Sequence, residues 1–220
     1  MRNEMYDLII FDLDGTLLDT SLGICNSVRY AEEQLHLSPM SDEMLKKFIG
    51  PPPKDMYKKI YGLSEERALE AAEKHRKYGR EKGFLEVRTY PWIEALLDFL
   101  RSCKVRLAVA TLKQQAVAEK VLQYTSMERF FDVIIGMNEQ ESFTKAEIIR
   151  SCVLETGALN VLMVGDTEYD YEGAKKAGVD FIGVTYGFGF KKNEKYPFRV
   201  FKNPVDLMEC WKKMLAEDES

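Results

Sequence analysis

Five short apolar runs set the tightest limit on what this chain can fold into. They are Leu8-Ile9-Ile10-Phe11, Val105 to Ala110, Val133-Ile134-Ile135, Val161-Leu162-Met163-Val164 and Phe181-Ile182-Gly183-Val184. Each is bounded by polar or glycine residues, which suits a strand buried on both faces. Helical spacing lies between them. Ile93, Leu96, Leu97 and Leu100 recur with a period near 3.6 after Pro91, a residue suited to a helix start, and Ile148, Ile149, Cys152 and Val153 do the same. Strands alternating with helices predict an α/β fold: a Rossmann-like parallel sheet with helices on both faces.

One interval breaks the alternation. From Asp19 to about Glu86 no buried strand is legible, and the segment reads as several helices. Leu22, Cys25, Val28 and Leu35 form a candidate apolar stripe, and Ser41 before Asp42 and Glu43 is a plausible helix cap. Gly50-Pro51-Pro52-Pro53 forces a turn, and Ser64 to Lys82 reads as a long charged helix. The expected organisation is a core of residues 1–18 and 87–220 with a helical cap domain, 19–86, inserted after the first strand.

Composition narrows the function. Apolar residues make up 45% and charged residues 30% of the chain, enough for a sizeable core. A net charge of −5 does not suit a nucleic-acid binder. It leaves phosphate chemistry open, because a metal ion and a few fixed cations set the local field. The four cysteines form no CxxC pair and read as thiols in or near the core, which fits a reducing cytosol. Tyr6 to Phe11 is too short for a signal sequence, and no stretch approaches the roughly 20 apolar residues of a membrane span. The expectation is a cytoplasmic protein with no membrane or nucleic-acid partner, monomeric or homodimeric.

Chemistry-bearing residues gather at strand ends. In Phe11-Asp12-Leu13-Asp14-Gly15-Thr16 an apolar strand delivers two carboxylates into a glycine turn, where open parallel sheets bind ligands. In Val164-Gly165-Asp166-Thr167-Glu168-Tyr169-Asp170 another strand ends in acids spaced so that Asp170 can face back from the next helix. Hard oxygen ligands near one point suit Mg²⁺. Thr111 ends the Val105 run, and Lys145 precedes the helix of Ile148. Each feature alone has an ordinary explanation: an aspartate-rich turn, an acid-decorated helix start, a structural threonine, a surface lysine.

Together they resemble the phosphatase branch of the haloacid dehalogenase superfamily. FDLDGTLLDT matches the family's first motif closely and VGDTEYDYEGAKKAG its last, so the resemblance spans nearly the whole chain. It implies that Asp12 is a nucleophile forming an aspartyl phosphate and Asp14 a general acid/base. It implies Mg²⁺ held by the Asp12 carboxylate, the Asp14 main-chain carbonyl and Asp166, with Asp170 supporting the metal directly or from behind. Thr111 and Lys145 would hold the transferring phosphoryl oxygens. An aspartate two residues after the nucleophile separates phosphatases from the superfamily's dehalogenases. The helical cap would close over the site and set substrate choice. Phe48-Ile49-Gly50-Pro51-Pro52 and Gly183 to Gly189 are among segments similar to a narrower group, phosphoglycolate phosphatase-like and 5'-nucleotidase-like. The substrate implied is a small phosphomonoester.

Two positions depart from that pattern. Leu112-Lys113 follows Thr111 where a polar side chain is usual, with Lys113 either compensating or facing solvent. Trp92 follows Pro91 where glycine is common, and is expected to pack in the core. The competing enzyme reading is a phosphosugar mutase of the β-phosphoglucomutase kind. The competing readings of other kinds are a non-catalytic phosphate-ligand binding protein, which should have lost an essential acid or the lysine, and a phospho-acceptor signalling domain, which needs an open face.

Overall fold

The computed structural model describes residues 6–139 and 142–218. Its centre is a six-stranded sheet, parallel throughout, built from β1 (Leu8–Phe11), β4 (Arg106–Gln114), β5 (Val133–Met137), β6 (Val161–Gly165), β7 (Asp180–Val184) and β8 (Arg199–Phe201). The order is β5-β4-β1-β6-β7-β8. The chain builds outward from β1 on one side, then returns to build outward on the other. β1 pairs with β4 through Ile10 and Ala108 and with β6 through Ile10 and Met163. Loops leaving the carboxyl ends of β1 and β6 therefore part at a topological switch point, where such sheets bind ligands.

Alternation along β1 explains the layers. Ile9 and Phe11 join one core with Leu96 and Leu100 of α5 (Ile93–Ser102), Val121 of α6 (Gln115–Tyr124) and Trp211 of α9 (Pro204–Asp218). Leu8 and Ile10 face the opposite core with Ile148, Ile149 and Cys152 of α7 (Lys145–Thr156) and Ala174 of α8 (Glu168–Ala177). Successive side chains point to opposite faces, so a strand apolar at every position needs helices on both sides. All five sequence-derived runs are strands. The sixth, β8, escaped the sequence because it is a three-residue edge strand whose one buried residue is Phe201.

The helical interval comprises α1 (Ser21–Leu35), α2 (Asp42–Leu45), α3 (Pro53–Tyr61) and α4 (Glu65–Glu81). Ser41 and Ser64 cap α2 and α4, accepting from the amides of Met44 and Arg67 at 3.4 and 3.3 Å. These helices bury a cluster of their own that includes Ile24, Val28, Ala31, Phe48, Met56, Tyr57 and Ala72. The buried face of α1 differs from the expected stripe: Leu22 is 53% exposed. Gly23 sets the rotation, since a Cβ there would lie 2.4 Å from the Gly83 carbonyl oxygen, and that close approach turns Leu22 to solvent. The chain leaves and re-enters the sheet layer through a two-stranded antiparallel ribbon, β2 (Leu18–Asp19) with β3 (Arg88–Thr89). The apolar pattern predicts no strand there, and the ribbon ties both crossings together.

Trp92 is also corrected. It is 65% exposed with φ +69°, in the turn that starts α5, and Ile93 takes the core position instead. The four cysteines are free thiols, Cys152 and Cys210 buried and Cys25 and Cys103 half-buried. Among the described residues no helix is long and apolar enough to cross a membrane.

Candidate active site

β1 ends at Phe11, and the Asp12 amide donates to the Val164 carbonyl at 2.9 Å. Strand pairing thus fixes the backbone that carries the first carboxylate. The turn continues through Gly15, at φ +87°, where a Cβ would lie 2.3 Å from Asp166 Oδ2. Only glycine lets the two acidic loops approach this closely.

The structure brings together all six site residues expected from the sequence, each buried: Asp12, Asp14, Thr111, Lys145, Asp166 and Asp170. Lys145 opens α7 behind the Thr144 cap. Its Nζ lies 2.5 Å from Asp12 Oδ1 and 2.7 Å from Asp170 Oδ1. The Lys145 stem passes over Gly173, where a Cβ would lie 2.6 Å from its Cγ. Asp170 is the third residue of α8, and its Oδ2 accepts from the Thr167 amide at 3.0 Å and the Thr167 hydroxyl at 2.6 Å. Both of its oxygens are therefore engaged. Thr111 ends the buried part of β4, and its Oγ1 accepts from the Lys113 amide at 3.1 Å.

Asp166 is held by groups the sequence did not single out. Its Oδ2 accepts from the amides of Phe188 and Gly189 at 2.7 and 3.4 Å, and its Oδ1 from the Thr16 hydroxyl at 3.3 Å. Backbone donors carry no side-chain signature, so only the glycines of Gly187-Phe188-Gly189 hinted at a close approach. Lys113 is the second addition. Its side chain is 15% exposed, with Nζ 3.0 Å from Asp14 Oδ2, so it serves the site and does not face solvent.

Four buried carboxylates face two ammonium groups here. Burial pushes Asp12 well above the usual carboxylate range, against the pull of Lys145 and with Asp170, Asp166 and Asp14 adding to the push. Burial, then Asp170, pushes Asp166 up to about 7. Burial works against the charge on Lys145, yet Asp12 and Asp170 outweigh it and hold the ammonium above the usual lysine range. The protein alone leaves negative charge uncompensated, and Asp14 Oδ1 is buried with no hydrogen-bond partner among the described residues.

A divalent cation fits that deficit. Carboxylate oxygens of Asp12, Asp166 and Asp170 lie within 4.8 Å of one another. All-oxygen donors at such spacing suit Mg²⁺, whose ligands sit at about 2.0–2.1 Å. Next to the trio is a pocket of about 10 Å³ lined by Asp12, Asp14, Thr111, Lys145 and Gly50. Asp14, Gly50 and Leu112 also line a second cavity, between the helical layer and the sheet, so the two spaces share a wall.

Residues 9–184 match the family model described as haloacid dehalogenase-like hydrolase. The chain is 38% identical over 187 residues to a 5'-nucleotidase from Pseudomonas aeruginosa, covering 84% of this chain and 85% of that protein. It is 28% identical to a phosphoglycolate phosphatase from Aquifex aeolicus over 96% of this chain and 99% of that one. The crystal structure of a predicted phosphatase from Clostridium acetobutylicum superposes with a TM-score of 0.87 at 35% identity, covering 97% of this chain and all (100%) of the other.

Proposed function

The chain belongs to the haloacid dehalogenase-like hydrolases and is a phosphatase, and we propose that it hydrolyses a small phosphomonoester through a phosphorylated Asp12, with Mg²⁺ as its cofactor. The observation that carries this reading is the buried contact of Asp12 with Lys145 beside a pocket that also contains Asp14 and Thr111.

In that reading Asp12 Oδ attacks phosphorus while Lys145 and Thr111 hold the phosphoryl oxygens. Asp170, bonded to Lys145, keeps the ammonium beside the nucleophile. Asp14 lies where the two cavities meet, so it can protonate the leaving oxygen as the ester bond breaks. It then takes a proton from the water that attacks phosphorus, releasing phosphate and restoring Asp12. Mg²⁺, held by the Asp12 carboxylate, the Asp14 carbonyl and Asp166, would supply the positive charge that lets a carboxylate approach a phosphate dianion. In the same reading the helices of residues 19–86 serve as a cap over the site, joined to the core through the β2–β3 ribbon. The substrate is a phosphoglycolate-like or 5'-nucleotide ester, by likeness to the relatives named above.

The test is a screen of phosphomonoesters with Mg²⁺, followed by acid quench, borohydride reduction and peptide mass spectrometry. Release of phosphate with reducible modification at Asp12 is expected. Turnover with residue 12 never modified, or isomerised sugar phosphate in place of free phosphate, would overturn the reading.

A further inference from the structure

The amino-terminal edge of the sheet, away from Asp12, carries a groove of its own. It measures about 490 Å³ and lies where α7, the start of β6 and the turn from α8 into β7 meet. Its apolar lining includes Val153, Leu154, Leu159, Val161 and Val179. Leu154 and Leu159 are 83% and 88% exposed, more than any other large apolar side chain among the described residues. A scattered exposed leucine is ordinary on a protein surface, but the two most exposed ones sharing one groove mark a docking surface. The groove's charged lining is one residue of each sign, Arg150 and Asp180, both exposed. Arg150 donates to the Lys176 carbonyl, and Asp180 Oδ2 accepts from the Tyr6 hydroxyl at 2.8 Å. Both are thus anchored at the groove, and neither has an ion-pair partner among the described residues.

We propose that this groove is a self-association face: a second copy of the chain docks across a two-fold axis, with Leu154 and Leu159 of each copy in the groove of the other and Arg150 of each facing Asp180 of the other. In a two-fold contact the same patch meets itself, so a residue off the axis faces a different residue of an identical surface. A patch charged with one sign would repel its own copy. One cation and one anion on an apolar floor attract it. The same balance argues against nucleic acid or an anionic membrane, which select surfaces rich in cations. Shape agrees, because each copy offers both the protruding leucines and the hollow that receives them. A cavity of about 150 Å³ holds benzene, so about 490 Å³ has room for two leucine side chains. Location agrees as well. Asp12 and Asp166 lie beyond the carboxyl ends of β1 and β6, whereas Val161 and Asp180 open β6 and β7. No residue of the phosphoryl pocket or of the helices of residues 19–86 lines the groove, so association there leaves both free.

Sedimentation velocity of the full chain, across about two decades of protein concentration, reads the association. Circular dichroism of each variant checks its folding. The wild type should sediment as a dimer at the upper end and dissociate on dilution. Leu159→Glu should raise the dissociation constant at least about tenfold. Leu154→Glu is the second variant, in case the first disturbs the fold. Charge tests the register of the two copies. Arg150→Asp and Asp180→Arg should each weaken the dimer when made alone, and the double exchange should restore it. A wild type that stays monomeric throughout, a dimer untouched by both leucine substitutions, or a double exchange no tighter than either single one would overturn the proposal.

Discussion

The phosphoryl pocket and the cavity beside it share Asp14, yet they are built in opposite ways. Around the pocket, backbone does the holding. Strand pairing fixes Asp12, amides of Phe188 and Gly189 clamp Asp166, and the first turn of α8 clamps Asp170. Around the cavity, side chains do the holding. Phe48 packs edge-on to Tyr57 at 4.9 Å and stacks with His75 at 6.4 Å, all within the helical layer. A site made from backbone tolerates loss of a side chain without losing its shape, and what it loses is rate. A site made from packed rings loses shape and selectivity together.

The largest effect should come from Asp12→Asn, which keeps the backbone clamp and removes the nucleophile. We expect kcat to fall by about 10⁴-fold or more with an unchanged circular dichroism spectrum. Near-native phosphate release by that variant would end the comparison, since the pocket would then not hold the chemistry.

Phe48→Ala tests the other side. Phe48 is 2% exposed at the centre of the helical cluster, and its truncation should cost about 3–5 kcal/mol of stability. Urea unfolding measures it, and a loss below about 1 kcal/mol would mean that the helices are held by something other than this ring cluster.

Asp166→Asn sharpens the contrast through metal binding. In the wild type, Mg²⁺ at about a hundredfold above its Kd should stabilise the fold by about 2.7 kcal/mol. The substitution leaves the amide clamp a side-chain oxygen to hold but removes a charged ligand. The Mg²⁺-dependent rise in melting temperature should largely vanish, and a rise equal to that of the wild type would place the ion elsewhere.

The same contrast explains what could be read from sequence. Strands buried on both faces announce themselves as unbroken apolar runs, and residues that follow them fall at the sheet's carboxyl edge. Asp12, Thr111 and Asp166 were therefore placeable, and Lys145 and Asp170 followed from helix starts. The three-residue β8, the β2–β3 ribbon and the amides that hold Asp166 lie below what periodicity can resolve. Leu22 and Trp92 misled because the pattern cannot see the Gly23–Gly83 contact or the left-handed turn at residue 92. Lys113 was undecided because its partner, Asp14, is far away in sequence. In the helical layer, His75 and Arg76 sit within a run of charged residues that reads as a solvated face.

His75 offers the smallest and most selective test. Burial, with Lys113 and Arg76 adding to it, takes its folded pKa down to about 3, whereas an unfolded chain titrates near 6.5. Between those values the unfolded state binds a proton that the folded state refuses, so acid favours unfolding. Above about 6.5 both states are neutral at this residue and it contributes no pH dependence. Each unit of acidification within the window costs at most about 1.4 kcal/mol from this residue. His75→Phe keeps a ring against Phe48 and Tyr57 but removes the titration. Every other acid and base is common to both proteins, so the difference between their unfolding free energies isolates this group. From pH 7 to pH 5 that difference should shift by about 1–2 kcal/mol against the wild type. A difference constant with pH would mean that the imidazole titrates alike in both states. The ring would then be open to water in the folded protein, and the dry, cation-flanked cavity wall would be gone.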